Sequence, residues 1–133
     1  MIYLDASALI TVVTRRANAV ELREFLLGHA EFPGVSSTVG FVETVRNCDL
    51  LGTYPNLMER LVRDYDELRL TPEIRDSAAR LPGRPGALDA IHVAAAEGLG
   101  EDLVSLVTYD RRMAEVALSQ GLPVASPGME SWH

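Results

Sequence analysis

Residues 103–125 read LVSLVTYDRRMAEVALSQGLPVA and hold a whole strand–helix–strand unit. The apolar run 103–108 is short enough for a buried strand. Residues 111–119 follow as a helix, Gly121 stops it, and 123–125 form a last short strand. The same alternation extends back to the first residue. Residues 87–97 are a helix stopped by Gly98, preceded by the loop Pro82-Gly83-Arg84-Pro85-Gly86. Pro72 opens a helix to 81, and 68–70 form a strand before it. Asn56 caps a helix over 57–65. A helix over 38–50 follows the turn Pro33-Gly34 and a strand at 35–36. Residues 19–27 place Val20, Leu22, Phe25, Leu26 and Leu27 at helical spacing, with Gly28 as the stop. Arg15-Arg16 is a polar break, Ser7 caps a helix to 13, and 2–4 form the first strand, ending at Asp5. Strands alternating with helices predict a three-layer α/β/α architecture around a mostly parallel sheet. With no repeat or linker, residues 1–133 read as a single domain.

Composition narrows the function. The chain has 133 residues, 47% hydrophobic and 23% charged, which is ordinary for a globular core. No stretch approaches the ~20 apolar residues of a membrane span, and no signal peptide opens the chain. One cysteine, Cys48, excludes an internal disulfide and fits a reducing compartment, so a cytoplasmic location is expected. It reads as an inert small hydrophobe. The net charge of −7 argues against a broad basic face for nucleic acid. All 12 basic residues are arginine, however, and arginine clamps phosphate bidentately. Aromatics at 6% are too few for a base-stacking platform.

Ligands of a parallel sheet collect beyond the carboxyl ends of its strands. That rule selects Asp5, directly after the first strand, and Asp110, just after the strand 103–108. Asp89 lies in the first turn of its helix, where the dipole favours a carboxylate. Glu43 sits in an otherwise apolar helical stretch, where its charge is costly unless solvated, paired or bound to a cation. Each has an ordinary structural alternative: helix caps for Asp5 and Asp110, a helix-start residue for Asp89, a solvated face for Glu43. Their convergence is what points further. Carboxylates gathered on one rim repel each other, and Mg²⁺, with Mn²⁺ as a substitute, relieves that repulsion. A metal so held activates water and stabilises charge on a phosphoryl centre.

The segments MIYLDASALI (1–10), FVETVRN (41–47), ALDAIHVAAA (87–96) and LVTYDRRMAEVA (106–117) resemble, in order, the motifs of VapC toxins in the PIN-domain family. The resemblance implies a PIN-like fold and a Mg²⁺-dependent endoribonuclease acting as the toxin of a toxin–antitoxin pair. It implies Asp5 and Asp89 as the metal ligands, with Glu43 and Asp110 completing the catalytic acidic pocket. RNA as substrate, a VapB-type antitoxin and a homodimer follow as partners. The dimer is expected through the apolar helices 19–27 and 57–65. Metal-activated hydrolysis predicts 5′-phosphate and 3′-hydroxyl ends.

Other residues carry two readings. Ser7 is a helix cap or a hydrogen-bond donor at the pocket, and Thr108 orients Asp110 or simply ends a strand. His92 faces the same way as Asp89, one turn on. It reads as a partly buried histidine with a satisfied hydrogen bond rather than a ligand. Arg15, Arg16, Arg46, Arg84, Arg111 and Arg112 are candidate RNA contacts or solvated charges, and Arg46 is also placed to pair with Glu43. Ala94-Ala95-Ala96 lets its helix pack closely on the sheet. Trp132-His133 reads as a surface tail.

Competing functions are a haloacid-dehalogenase-type phosphatase, a receiver domain, a non-catalytic acidic-pocket binding module and a housekeeping PIN nuclease. The phosphatase needs a second aspartate where Ser7 stands. Both it and the receiver domain use a lysine, and the chain has none.

Overall fold

The computed structural model describes residues 1–129, so Trp132-His133 lie outside the described residues. Along β1 (Ile2–Leu4) successive side chains alternate between faces of the sheet. Ile2 and Leu4 join one core cluster and Tyr3 joins the other. The first cluster packs β1 against α1 (Ala6–Thr14), α2 (Ala19–Gly28), α3 (Thr38–Leu51) and α4 (Leu57–Asp64). The second packs Tyr3 and Val35 against α6 (Ala87–Glu97) and α7 (Arg111–Ser119), with Ile74 of α5 (Pro72–Ala79) at its edge. Helices thus cover both faces, the three-layer arrangement expected. Ala94, Ala95 and Ala96 are all buried, and Ala95 and Ala96 bring α6 close against the sheet side of the second cluster.

The sheet has five strands in the order β3 (Asp66–Leu68), β2 (Gly34–Ser37), β1, β4 (Ser105–Val107), β5 (Val124–Ala125), and every pairing is parallel. Strand order reverses at β1, which has β2 on one side and β4 on the other. A doubly wound sheet binds its ligands at such a switch point, beyond the strands' carboxyl ends. The register Leu4↔Val107 puts the ends of β1 and β4 level, so the segments after them emerge side by side. No helix among the described residues is long and apolar enough to cross a membrane.

The elements differ from expectation in a few places. β3 covers 66–68 rather than 68–70, and its exposed Asp66 and Glu67 explain why apolarity misplaces it: an edge strand has little to bury. β4 is shorter than the run 103–108. Helix α1 is capped by Asp5, whose side chain accepts from the Ala8 backbone, and Ser7 already lies inside the helix. Asn56 does stand at the start of α4, but in the left-handed conformation and with no side-chain cap bond. Asparagine tolerates that backbone, and this conformation sets it there. Helix α5 ends at Ala79, two residues early, and Thr71 supplies its cap.

Candidate active site

Asp5, Ser7, Glu43, Asp89 and Asp110 line one cavity of about 190 Å³, together with Arg16, Asn47 and His92. Four elements supply the acids: the end of β1, the middle of α3, the first turn of α6, and the loop from β4 into α7.

Asp5 is buried, and its carboxylate is held on both oxygens. Oδ1 accepts from the Ser7 hydroxyl at 2.6 Å and from the Ala8 backbone N–H at 2.9 Å, and Oδ2 accepts from the Thr108 hydroxyl. Burial nevertheless pushes its carboxyl above the usual range, against the lowering by His92 and by these three donors. Desolvation is the largest of these effects, because a fully buried carboxylate loses the water that stabilised its charge. A carboxylate has roughly four acceptor positions, so three donors leave Asp5 room for one more partner.

Thr108 joins the two strand ends. Besides donating to Asp5, its oxygen accepts from the Asp110 backbone N–H at 3.0 Å. Ser7 does similar work, since its oxygen also accepts from the Tyr109 backbone N–H at 2.8 Å. Asp110 caps α7: Oδ1 accepts from the backbone N–H groups of Arg112 and Met113. The capping reading and the cavity reading are therefore both true of Asp5 and of Asp110.

Asp89 is different. No hydrogen bond reaches its carboxylate among the described residues. Its carboxyl is pushed up by partial burial first and then by the negative charge of Asp110, with Glu43 and Asp5 adding to it and His92 opposing. The helix dipole that should favour its charge is outweighed.

Glu43 is paired rather than simply solvated: Oε1 lies 2.6 Å from His92 Nε2. His92 is fully buried, and its other nitrogen lies 2.7 Å from the Tyr3 hydroxyl. Both ring nitrogens are thus occupied by protein, which removes His92 as a metal ligand. Arg46 is exposed and makes no ion pair with Glu43 among the described residues.

The arginines disperse. Arg16 alone of the six lines the acidic cavity, anchored through Nε to Thr11 Oγ1 and Nη2 to the Ser7 carbonyl. Arg15 lines a cleft over α2, Arg84 another between α5 and α6, Arg111 pairs with Glu115, and Arg112 is exposed. Those two clefts are larger, at about 780 and 510 Å³, but gather no comparable set of acids.

Asn47, Gly40 and Tyr3 belong to the site as well. Asn47 is four residues after Glu43, so helical spacing alone puts it on the same face. Gly40 is an isolated glycine inside a helix, a signal of close packing. The Tyr3 hydroxyl had no signal, since its partner lies 89 residues away.

The donor set suits a hard divalent cation. Burial and the neighbouring acids together raise the Asp89 carboxyl, and among the described residues Asp89 has no hydrogen bond to give up. Among the described residues no three His, Cys, Asp or Glu side chains stand close enough together to hold an ion between them. A Mg²⁺ ion bound through one or two carboxylates and otherwise by water asks for no tighter cage.

Residues 2–118 match the model of the PIN domain. Ribonuclease VapC46 of Mycobacterium tuberculosis (strain ATCC 25618 / H37Rv) is 36% identical over 128 residues, covering 95% of this chain and 97% of that protein. The fold is shared with Mycobacterium tuberculosis VapC20, described as a Sarcin-Ricin loop cleaving toxin, at a TM-score of 0.70 and 14% identity, covering 92% of this chain and 96% of the other. It is also shared with FitAB bound to an IR36 DNA fragment, at a TM-score of 0.64 and 18% identity, covering 100% and 96%.

Proposed function

The chain belongs to the PIN-domain family, and from that premise we propose that it is a metal-dependent endoribonuclease of the VapC type, the toxin of a toxin–antitoxin pair. The observation that carries the reading is the single cavity lined by Asp5, Glu43, Asp89 and Asp110, acids drawn from four separate elements. Asp89 gains little for folding from its place there: partial burial and then the charge of Asp110 raise its carboxyl, and no hydrogen bond reaches it among the described residues. A set of charges that costs stability is the mark of a site kept for binding or chemistry.

Asp5 and Asp89 are the residues proposed to hold Mg²⁺, or Mn²⁺ in its place. When bound, the ion supplies an activated water and offsets the negative charge that builds on a phosphoryl group during attack. The protein's own contributions are positional. Ser7, Thr108 and the Ala8 N–H keep Asp5 in one rotamer at the sheet's edge. Asp110 spends Oδ1 on the α7 backbone, which directs what remains of its carboxylate to the cavity. Glu43, with one oxygen on His92, keeps the other to orient a water. Arg16 at the cavity wall is the cation nearest to hand for a substrate phosphate.

A homodimer and a cognate VapB-type antitoxin belong to the same reading. Val20 and Leu27 on α2 and Val62 on α4 are exposed apolar side chains that an interface would cover. A monomer mass by light scattering at high micromolar concentration would count against the dimer.

The deciding experiment is cleavage of RNA by purified protein with Mg²⁺. Expected are loss of cleavage in EDTA and in Asp89→Asn, and product ends bearing 5′-phosphate and 3′-hydroxyl. Activity that survives EDTA and leaves 2′,3′-cyclic phosphate would overturn the reading.

A further inference from the structure

We infer that His92 is a positioning residue for the reaction: with its ring fixed by Tyr3, it holds Glu43 so that one carboxylate oxygen is set for work in the cavity. The inference rests on the ribonuclease reading of that cavity.

A fully buried imidazole needs both nitrogens satisfied, and here the two partners differ in kind. Glu43 as a carboxylate can only accept, so the hydrogen lies on Nε2. Nδ1 lies 2.7 Å from the Tyr3 hydroxyl, which fixes the ring from its other side. The result is a continuous chain of contacts from the middle of β1, through α6, to Glu43 on α3. It ends at the wall of the acidic cavity.

The backbone is shaped around this chain. A Cβ on Gly40 would lie 3.0 Å from His92 Cε1 and 2.4 Å from Ser36 Oγ. Helix α3 therefore comes down onto the ring at a point where only glycine fits. Glu43 follows three residues later on the same face. Its side chain is about a quarter exposed, so it bridges the buried ring and the open cavity. No hydrogen bond reaches its Oε2 among the described residues. A glutamate has three rotatable side-chain bonds, and a free one would sample many positions before finding the one that orients water. The tie to His92 removes that search in advance. The same α6 turn carries Asp89, so one rigid helix sets both a proposed metal ligand and the group that steers Glu43.

A purely structural role for His92 and a positioning role make different predictions. His92→Leu keeps apolar bulk and removes the donor, and His92→Gln returns an amide N–H near the Nε2 position. With activity counted per folded molecule, His92→Leu should lower kcat about 10–100-fold with KM little changed, and His92→Gln should restore most of it. In a Glu43→Gln background, measured under single-turnover conditions with enzyme in excess, His92→Leu should cause no further loss. Wild-type kcat in folded His92→Leu, or an equal loss in both backgrounds, would overturn the inference. Should His92→Leu fail to fold, Tyr3→Phe carries the test, since it removes one oxygen only. Its kcat should fall by a smaller factor and again only when Glu43 is present; an unchanged kcat would be decisive against the chain. Failure of the underlying reading shows separately: wild type lacking Mg²⁺-dependent cleavage, or Asp89→Asn cleaving as wild type, removes the ribonuclease and this inference with it.

Discussion

The two walls of the acidic cavity carry the same charge and are built in opposite ways. On the strand side Asp5 is buried, held by three donors and tied through Thr108 to Asp110. On the helix side Asp89 has no hydrogen bond among the described residues and feels the charge of three neighbouring acids. The strand wall is therefore a fixed anchor whose polar groups stabilise the fold. The helix wall holds a partly desolvated charge with repulsion added to it, and a cation or a proton relieves both. Losing a side chain from the first should cost stability, and neutralising the second should add it.

Thr108→Val is the strongest test of the strand wall. The variant is nearly isosteric but leaves a buried carboxylate short of a donor and the Asp110 N–H short of an acceptor. A destabilisation of about 2–3 kcal/mol is expected in urea unfolding. A neutral result would mean that the anchor is not one.

The next effect in size concerns metal. If Asp89 supplies a ligand, Mg²⁺ at 100 times its dissociation constant should stabilise the wild type by about 2.7 kcal/mol. Asp89→Asn should show little of this shift. Equal stabilisation of the two proteins would place the ion elsewhere.

The smallest effect is Asp89→Asn without metal. Its carboxyl ionises at higher pH in the folded chain than in the unfolded one. Stability linked to this group is thus fully present below the unfolded value, about 3.9, and is lost as pH rises through the raised folded value. In EDTA the variant should therefore match the wild type near pH 4 and surpass it at pH 7. Because Asp89 is partly exposed, screening limits the gain to about 1 kcal/mol or less, or about 2–4 °C in Tm for a chain of this size. A variant less stable than wild type at pH 7 would erase the contrast between the walls.

Much of this contrast was legible one residue at a time. Each of the four acids stands where a local rule puts it, after a strand end or within a helix turn. The boundaries of α6 and α7 follow from their flanking residues, Gly86 and Gly98 for one and Asp110 and Gly121 for the other. Local rules weakened where burial was absent, as in β3, whose exposed acidic residues hid an edge strand. They also weakened where two polar neighbours competed for one task, as Asp5 and Ser7 did for the α1 cap.

The alternation of strand and helix, the strand-end acids and the arginine-only cation set are properties of the sequence itself, because period, capping and charge depend on residues a few positions apart. The partners of those acids are not. Thr108 reaches Asp5 across 103 positions and His92 reaches Glu43 across 49. Whether a carboxylate is anchored or left repelled is decided by which strand ends lie level and which helix a glycine lets approach. Those are contacts made only when the chain is folded.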